Sequence, residues 1–358
     1  MDYKSLLLVF SFVVSFVVAF ASTPLAKIIA HKIGAVDVPK DERRVHKEPI
    51  PRMGGLAIFY GFIVSMLSFA EITPGIRGIL IGSLIIVTLG IVDDVKQLGA
   101  KVKLAVQIIA ALVVVFHGVK IQMLTNFNIF SSADMIVFKD WLAIPITVIW
   151  IIVVTNAVNL IDGLDGLAAG VASIACLSLL FISLLLQNYE IAIVTAAVAG
   201  SCLGFLPYNF NPAKIFMGDT GSTFLGFVLA TISIQGLFKF YAVISFAVPL
   251  LILALPIFDT GYAILRRLLS GKPIMQADRG HLHHRLIDMG FSQKQTVAIL
   301  YSMSGILGVS AVVLAGSGAT RAMVLILSVL VFVIAGAKYM HSPVAEVIEA
   351  GEPEKSVE

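Results

Sequence analysis

Charge is scarce in this chain: only 13% of its 358 residues are Asp, Glu, Lys or Arg, against 58% that are hydrophobic. A soluble domain of this size needs about twice that charged fraction to cover its surface, so a mainly aqueous protein is excluded. Cysteine is scarcer still. Cys176 and Cys202 both sit inside apolar runs, which rules out a disulfide framework and a zinc ribbon and leaves them as packing residues. No internal repeat, inserted soluble domain or low-complexity tract interrupts the chain.

Long apolar runs, by contrast, recur from end to end, and the mean hydropathy is +0.98. A bilayer core about 30 Å thick takes roughly 20 apolar residues per helix. By that measure about eleven spans are expected, near 5–26, 54–70, 78–93, 104–118, 141–158, 167–187, 191–208, 221–237, 241–260, 296–315 and 321–338. The fold class expected is therefore all-α, a polytopic integral membrane protein. The first run ends "AFAST", which resembles a signal-peptide cleavage site, but its apolar stretch is long and its basic cluster follows it, so it is read as a span.

Orientation follows from the basic residues. With the N-terminus outside, the external segments hold Lys4, Arg77, Lys120, Lys139, Lys239 and Arg321, and every other Lys and Arg falls on the cytoplasmic side, with the C-terminus. Residues 1–340 form one transmembrane domain with cytoplasmic loops. The segment 341–358 is an acidic tail, short of large apolar residues, that carries no chemistry.

In this topology the unusual polar groups all gather on the cytoplasmic side. "TNAVNLIDGLDG" (155–166) places Asn156 and Asn159 three apart on one helix face, and Gly163 and Gly166 weaken the helix just beyond. The span is expected to break there, freeing backbone groups and turning Asp162 and Asp165 in different directions. Such residues can line a site or simply cap a helix. Asp93 and Asp94 are adjacent carboxylates at a membrane edge and need a cation or a proton, whereas the nearby Lys96, Lys101 and Lys103 suit ordinary positive-inside placement. Asp219 lies between Gly218 and Gly221, where small neighbours allow close approach to a metal or a phosphate. Hard oxygen ligands of this kind suit Mg²⁺, which keeps water and substrate phosphates in its shell, better than zinc.

Two basic clusters complete the set. "RGHLHHR" carries His281, His283 and His284 between Arg279 and Arg285, a composition that suits phosphate or pyrophosphate, with zinc as the alternative. Arg43, Arg44, His46, Lys47 and Arg52 form the second cluster, for which a lipid-headgroup patch is the plain alternative.

The motifs "PRMGG", "DDVKQLGAKVK", "NAVNLIDGLDGLAAG", "NPAKIFMGDTGS" and "GHLHHRL" together resemble those of the polyprenyl-phosphate N-acetylhexosamine-1-phosphate transferases, in order and spacing, over most of the chain. The resemblance implies a Mg²⁺-dependent phosphotransferase, with Mn²⁺ as a substitute metal. It would move a sugar 1-phosphate from a UDP-sugar to a polyprenyl phosphate and release UMP, the first membrane step of envelope glycan synthesis. By the same resemblance, Asp219 and Asn159 would hold the metal and Asp93 and Asp94 would orient or deprotonate the lipid phosphate. Lys103, Arg279, His281, His283 and His284 would grip phosphates, and Asp162 and Asp165 would contact the nucleotide or order the loop, with Arg52, Asn156 and Asn211 as further substrate-binding residues. "HLHH" followed by Arg285, in place of three consecutive histidines, favours small N-acetylhexosamines over the muramyl pentapeptide. The expected partners are UDP-N-acetylglucosamine, undecaprenyl phosphate, the lipid bilayer of a bacterial cytoplasmic membrane and a second copy of the chain; no nucleic acid is expected.

Two other classes fit the sequence less well. "DTG" at Asp219 and again at Asp259 copies an aspartic-protease signature, but Phe216 stands where membrane proteases of this kind have a glycine, and Asp259 is read as a helix-end residue beside the long loop. A secondary transporter would carry its carboxylates near the bilayer midplane, whereas here they cluster at one edge.

Overall fold

The computed structural model describes residues 3–38, 49–125, 135–237, 244–271, 273 and 280–316. The chain is mostly helical: α1 (Tyr3–Ile33), α2 (Gly55–Phe69), α3 (Pro74–Lys96), α4 (Ala100–Phe116), α5 (Asp140–Leu160), α6 (Leu167–Leu185), α7 (Tyr189–Asn209), α8 (Gly218–Leu237), α9 (Ile244–Ile252), α10 (Ala254–Leu269), α11 (Leu282–Asp288) and α12 (Gln293–Gly316). Six of these are long and apolar enough to cross a bilayer: α1, α3, α5, α6, α7 and α12. The expected span 321–338 and the tail lie outside the described residues.

Local chemistry sets the helix ends. Thr73 accepts a hydrogen bond from the Ile76 amide at 3.3 Å, and Pro74 follows at the first helical position, where its missing N–H costs nothing. At the other end of α3, Gln97 turns left-handed at φ 51° and stops the helix. The expectation for 241–260 needs correction. In place of one span there are two helices meeting at Leu253, and α10 runs on to Leu269. Pro256 is the reason: it has no N–H to return to the preceding turn, and its ring crowds the carbonyl four residues back.

The all-α expectation also needs a small amendment. Strands β1 (Val36–Asp37) and β2 (Ile50–Pro51) pair antiparallel, as do β3 (Met123–Thr125) and β4 (Met135–Val137). Phe216 and Arg52 add an isolated parallel bridge. The Phe216 amide donates to the Pro51 carbonyl at 2.8 Å and the Gly54 amide to the Phe216 carbonyl at 2.8 Å, which ties the segment before α8 to the start of α2.

Helix α7 lies at the centre of the bundle and α1 along its outside. Without a hydrophobic force between helices in lipid, close packing depends on small side chains. Gly200 and Gly204 of α7 let the α1 backbone in, since a Cβ there would stand 2.3 Å from the Phe12 and Phe16 carbonyl oxygens respectively. Ser11 on α1 reinforces this contact by donating to the Ile193 carbonyl of α7 at 3.1 Å, and its hydroxyl also lies 2.9 Å from that of Ser65 on α2. At the far end of the bundle, Glu190 Oε1 accepts from Thr73 Oγ1 at 2.7 Å and from Gln235 Nε2 at 2.9 Å, joining α3, α7 and α8. Near Asp219 the helices meet at glycines, where a Cβ on Gly55 of α2 would lie 2.0 Å from the Gly221 amide nitrogen of α8.

Candidate active site

Because α1 to α8 run alternately up and down, the C-terminal ends of the odd helices and the N-terminal ends of the even ones share one end of the bundle. A cleft of about 780 Å³ opens there. Its wall includes Arg52, Asn159, Asp162, Asp165, Asn211, Asp219 and His284, which belong to four separate sequence motifs.

The expected break after α5 is present. The helix ends at Leu160, a turn follows, and Gly166 at φ 78° starts α6. A left-handed residue there favours glycine. Two neighbours hold the break: Tyr301 of α12 donates to the Gly166 carbonyl at 2.6 Å and Asn209 Oδ1 accepts from the Gly166 amide at 3.1 Å, while the Asn209 side-chain amide is itself anchored on Ile215 O at 3.0 Å. Asp165 Oδ2 accepts from the Asn211 side chain at 2.9 Å and from the Ala213 amide at 3.0 Å, so it orders the loop before α8 while still lining the cleft.

Asp162 lies on the cleft wall outside the helices. Desolvation, and then the charges of Asp219, Asp94 and Asp165, push its carboxyl up to about 8, against the opposing pull of Arg52. The residue is half-buried and lines the cleft, so an entering cation would draw that value down.

Asp93 and Asp94 are neighbours in sequence with unlike surroundings. Asp93 Oδ1 accepts from the Leu98 amide at 2.6 Å and its Oδ2 meets the Lys103 ammonium at 2.8 Å. Asp94 is turned inward onto the first turn of α8. It accepts from the Asp219 amide at 2.9 Å, the Thr220 amide at 3.0 Å and the Thr220 hydroxyl at 2.6 Å, and Arg52 Nε approaches it at 3.2 Å. Gly218, at φ 71°, allows this: a Cβ there would stand 2.6 Å from Asp94 Oδ2. Asp94 therefore acts as an N-cap supplied from another helix.

Asp219 receives the Lys103 ammonium at 2.8 Å on Oδ2 and the Asn159 amide at 3.2 Å on Oδ1, and Asn159 also donates to Ser222 Oγ at 2.8 Å. Lys103 thus bridges carboxylates of α3 and α8. Asn156 does not reach the cleft. It pairs with Gln107 of α4, donating at 2.8 Å, because it lies about 4.5 Å deeper along α5 than Asn159 and about 60° around the helix from it.

His284 lines the cleft, while His283 lies behind it, buried and pressed against Gly163, where a Cβ would stand 2.4 Å from Nε2. Burial, and then His284, lower the His283 imidazole to about 4. His281 is buried and pairs with Asp259 of α10 at 2.8 Å, so Asp259 is a partner of the histidine segment and not the plain helix-end residue expected from the sequence. Arg279 and the cluster Arg43, Arg44, His46 and Lys47 lie outside the described residues. Lys27 and His31, which carried no weight in the sequence, also line the cleft. Lys27 and His31 are four apart on α1 and share a face, the signal that could have found them.

A polytopic helical bundle with carboxylates, cations and amides gathered around one terminal cleft defines a membrane enzyme handling a charged substrate. Comparison with known proteins makes this specific. Residues 76–237 match glycosyl transferase family 4. The chain is 41% identical, over 93% of its length and 92% of that protein, to the probable undecaprenyl-phosphate N-acetylglucosaminyl 1-phosphate transferase of Bacillus subtilis. It is 34% identical to the decaprenyl-phosphate N-acetylglucosaminephosphotransferase of Mycobacterium tuberculosis H37Rv, over 82% of this chain and 79% of that one. With the phospho-N-acetylmuramoyl-pentapeptide-transferase of Caldicellulosiruptor bescii it shares 31% identity over 64% of this chain and 73% of the other. The protein belongs to glycosyl transferase family 4.

Proposed function

We propose that the protein transfers N-acetylglucosamine 1-phosphate from UDP-N-acetylglucosamine to undecaprenyl phosphate, giving undecaprenyl-diphospho-N-acetylglucosamine and UMP. The observation that carries this reading is the convergence of motifs far apart in sequence on one cleft that holds Asp219, Asn159, Asp162, Arg52 and His284. The names of two relatives, a probable undecaprenyl-phosphate N-acetylglucosaminyl 1-phosphate transferase and a decaprenyl-phosphate N-acetylglucosaminephosphotransferase, support the choice of sugar over the muramyl pentapeptide.

In the reaction, an oxygen of the lipid phosphate attacks the β-phosphorus of the donor, and the bond to the α-phosphate oxygen breaks to release UMP. Several negative charges meet, so catalysis is mainly positioning and neutralisation. A lipid phosphate with a second pKa near 6 is already largely dianionic at neutral pH, and a general base would add little.

The donor set fits Mg²⁺. Asp219 and Asn159 offer hard oxygens on the cleft wall, and the position already draws a cation, since the Lys103 ammonium sits 2.8 Å from both Asp93 and Asp219. Among the described residues no three His, Cys, Asp or Glu side chains converge as a closed metal cage, and Mg²⁺ does not require one when substrate phosphates complete its shell. Bound there, the ion would neutralise pyrophosphate charge and polarise the β-phosphoryl group. Arg52, Lys103 and His284 supply the remaining cations and donors, Asp162 and Asn211 face the nucleotide end, and Asp93 orients the acceptor through Lys103.

The same reading makes residues 1–340 one transferase domain of about eleven spans, with the tail 341–358 outside its chemistry, the N-terminus outside and the cleft facing the cytoplasm of a bacterial cell. The comparisons lend no support to a homodimer. The test is direct: purified protein with UDP-N-acetylglucosamine, undecaprenyl phosphate and Mg²⁺ should release UMP, in preference to the same assay with the muramyl-pentapeptide nucleotide. Failure to release UMP from any UDP-sugar would overturn the reading, and preference for the muramyl donor would move the protein to the other branch.

A further inference from the structure

Helix α10 turns a single polar face toward the start of α11. Asp259, Tyr262 and Arg266 are spaced three and four apart, and each touches residues 280–285. Asp259 Oδ2 takes His281 Nδ1 at 2.8 Å and its Oδ1 takes the Leu282 amide at 2.7 Å. The Arg285 guanidinium lies 5.7 Å from the Tyr262 ring centroid, and Arg266 donates to the Gly280 carbonyl at 3.1 Å. Both members of the Asp259–His281 pair are nearly closed off, with side chains 5% and 7% exposed.

A carboxylate only accepts, so the proton of His281 must sit on Nδ1. In the neutral ring this leaves Nε2 as the acceptor, and among the described residues no hydrogen bond reaches it. The His281 ring stacks on His283 at 5.9 Å with an 8° interplanar angle, and His283 contacts His284 at 4.3 Å, on the cleft wall. A row of three imidazoles thus runs from α10 to the cleft, with Asp259 at its head.

We infer that Asp259 is a positioning residue for the transfer: it holds His281 in the Nδ1–H tautomer and seats the start of α11, which sets the His281–His283–His284 row against the cleft. The inference rests on the phosphosugar transfer proposed above.

The conservative variant separates tautomer control from simple capping. In Asp259→Asn the side-chain oxygen can still accept from the Leu282 amide, so the cap survives. Its NH₂ then faces His281 Nδ1, and the ring, unlike the backbone, can move its proton to Nε2. The expected result is a loss of about tenfold or more in kcat, with the donor KM changed less than about threefold and the melting temperature close to wild type. His281→Gln should cost a similar factor, and the double variant no more than either single one, because the two act as a unit. Nitrogen-15 spectra of histidine-labelled protein should show the His281 proton moving from Nδ1 to Nε2 in Asp259→Asn.

Wild-type kcat in Asp259→Asn, additive losses in the double variant, or an unchanged His281 tautomer would overturn the inference. If Asp259→Asn unfolds, His281→Gln and the wild-type spectrum still decide, since full turnover in the former or an Nε2–H ring in the latter refutes it. If wild-type protein releases no UMP at all, the transferase reading fails instead, and the tautomer measurement continues to test the Asp259–His281 link.

Discussion

The Lys103 ammonium stands 2.8 Å from Asp93 Oδ2 and 2.8 Å from Asp219 Oδ2, so one lysine of α4 joins carboxylates of α3 and α8 at the end of the bundle. An internal cation between two carboxylates competes with any metal that uses either of them. Lys103→Gln should therefore lower the Mg²⁺ concentration needed for half-maximal donor binding, while turnover falls about tenfold or more because a cation that positions the phosphates is lost. Calorimetric titration with the nucleotide sugar across a Mg²⁺ series checks the first effect, and UMP release the second. A raised Mg²⁺ requirement would show that Lys103 assists metal binding and does not compete with it.

Removal of Asp219 should differ from removal of Asp93. Asp219→Ala is expected to abolish turnover together with the Mg²⁺ dependence of donor binding, whereas Asp93→Asn should slow turnover severely and leave that dependence nearly intact. The same titrations decide, and the reverse pattern would transfer the metal site to Asp93.

Asp94 should behave as a structural group. Its truncation to Ala leaves the Asp219 amide, the Thr220 amide and hydroxyl, and Arg52 without their buried acceptor. The cost should be about 3 kcal/mol, seen as a melting temperature several degrees lower in detergent, with Asp93→Asn much milder. Equal thermal shifts for the two variants would contradict the cap assignment.

The His283 ring gives a pH signature. Its folded value of about 4 lies below the ordinary 6.5, so the unfolded chain binds the proton first as pH falls. Its stabilising contribution is complete above about pH 6.5 and is lost on acidification toward 4, by an amount on the order of 3 kcal/mol. His283→Gln should flatten that part of the stability profile relative to wild type, as measured by melting temperature from pH 7.5 to 4.5. Matching slopes for the two proteins would show that the ring is solvated.

Topology can be mapped with cysteine reporters, because Cys176 and Cys202 are buried and should stay silent. Reporters at the exposed Lys101 and Lys139 are expected to label from opposite sides, Lys101 from the cytoplasm and Lys139 from outside. Labelling of both from one side would overturn the orientation.

Hydropathy alone determined that the chain is a helical membrane protein, and the clustering of Asn, Asp, His and Gly at run ends pointed to residues that line one cleft. Both are legible because a bilayer imposes length and apolarity on each span separately, and polar residues at its edge stand out against them. The glycines of "LIDGLDG" marked the break after α5 for the same local reason. Partnership was not legible. Asp93 and Asp94 look equivalent in sequence, yet helix rotation sends one to Lys103 and the other under the first turn of α8. Asn156 and Asn159 share an expected face, yet one pairs with Gln107 and the other with Asp219. Asp259 stood out only as the start of a second "DTG", since its partnership depends on His281, which approaches it only across the fold. Hydrogen bonds and charge pairs act over about 3 Å, and residues 10 to 126 apart in sequence reach that distance only when tertiary packing sets the rotation and depth of every helix.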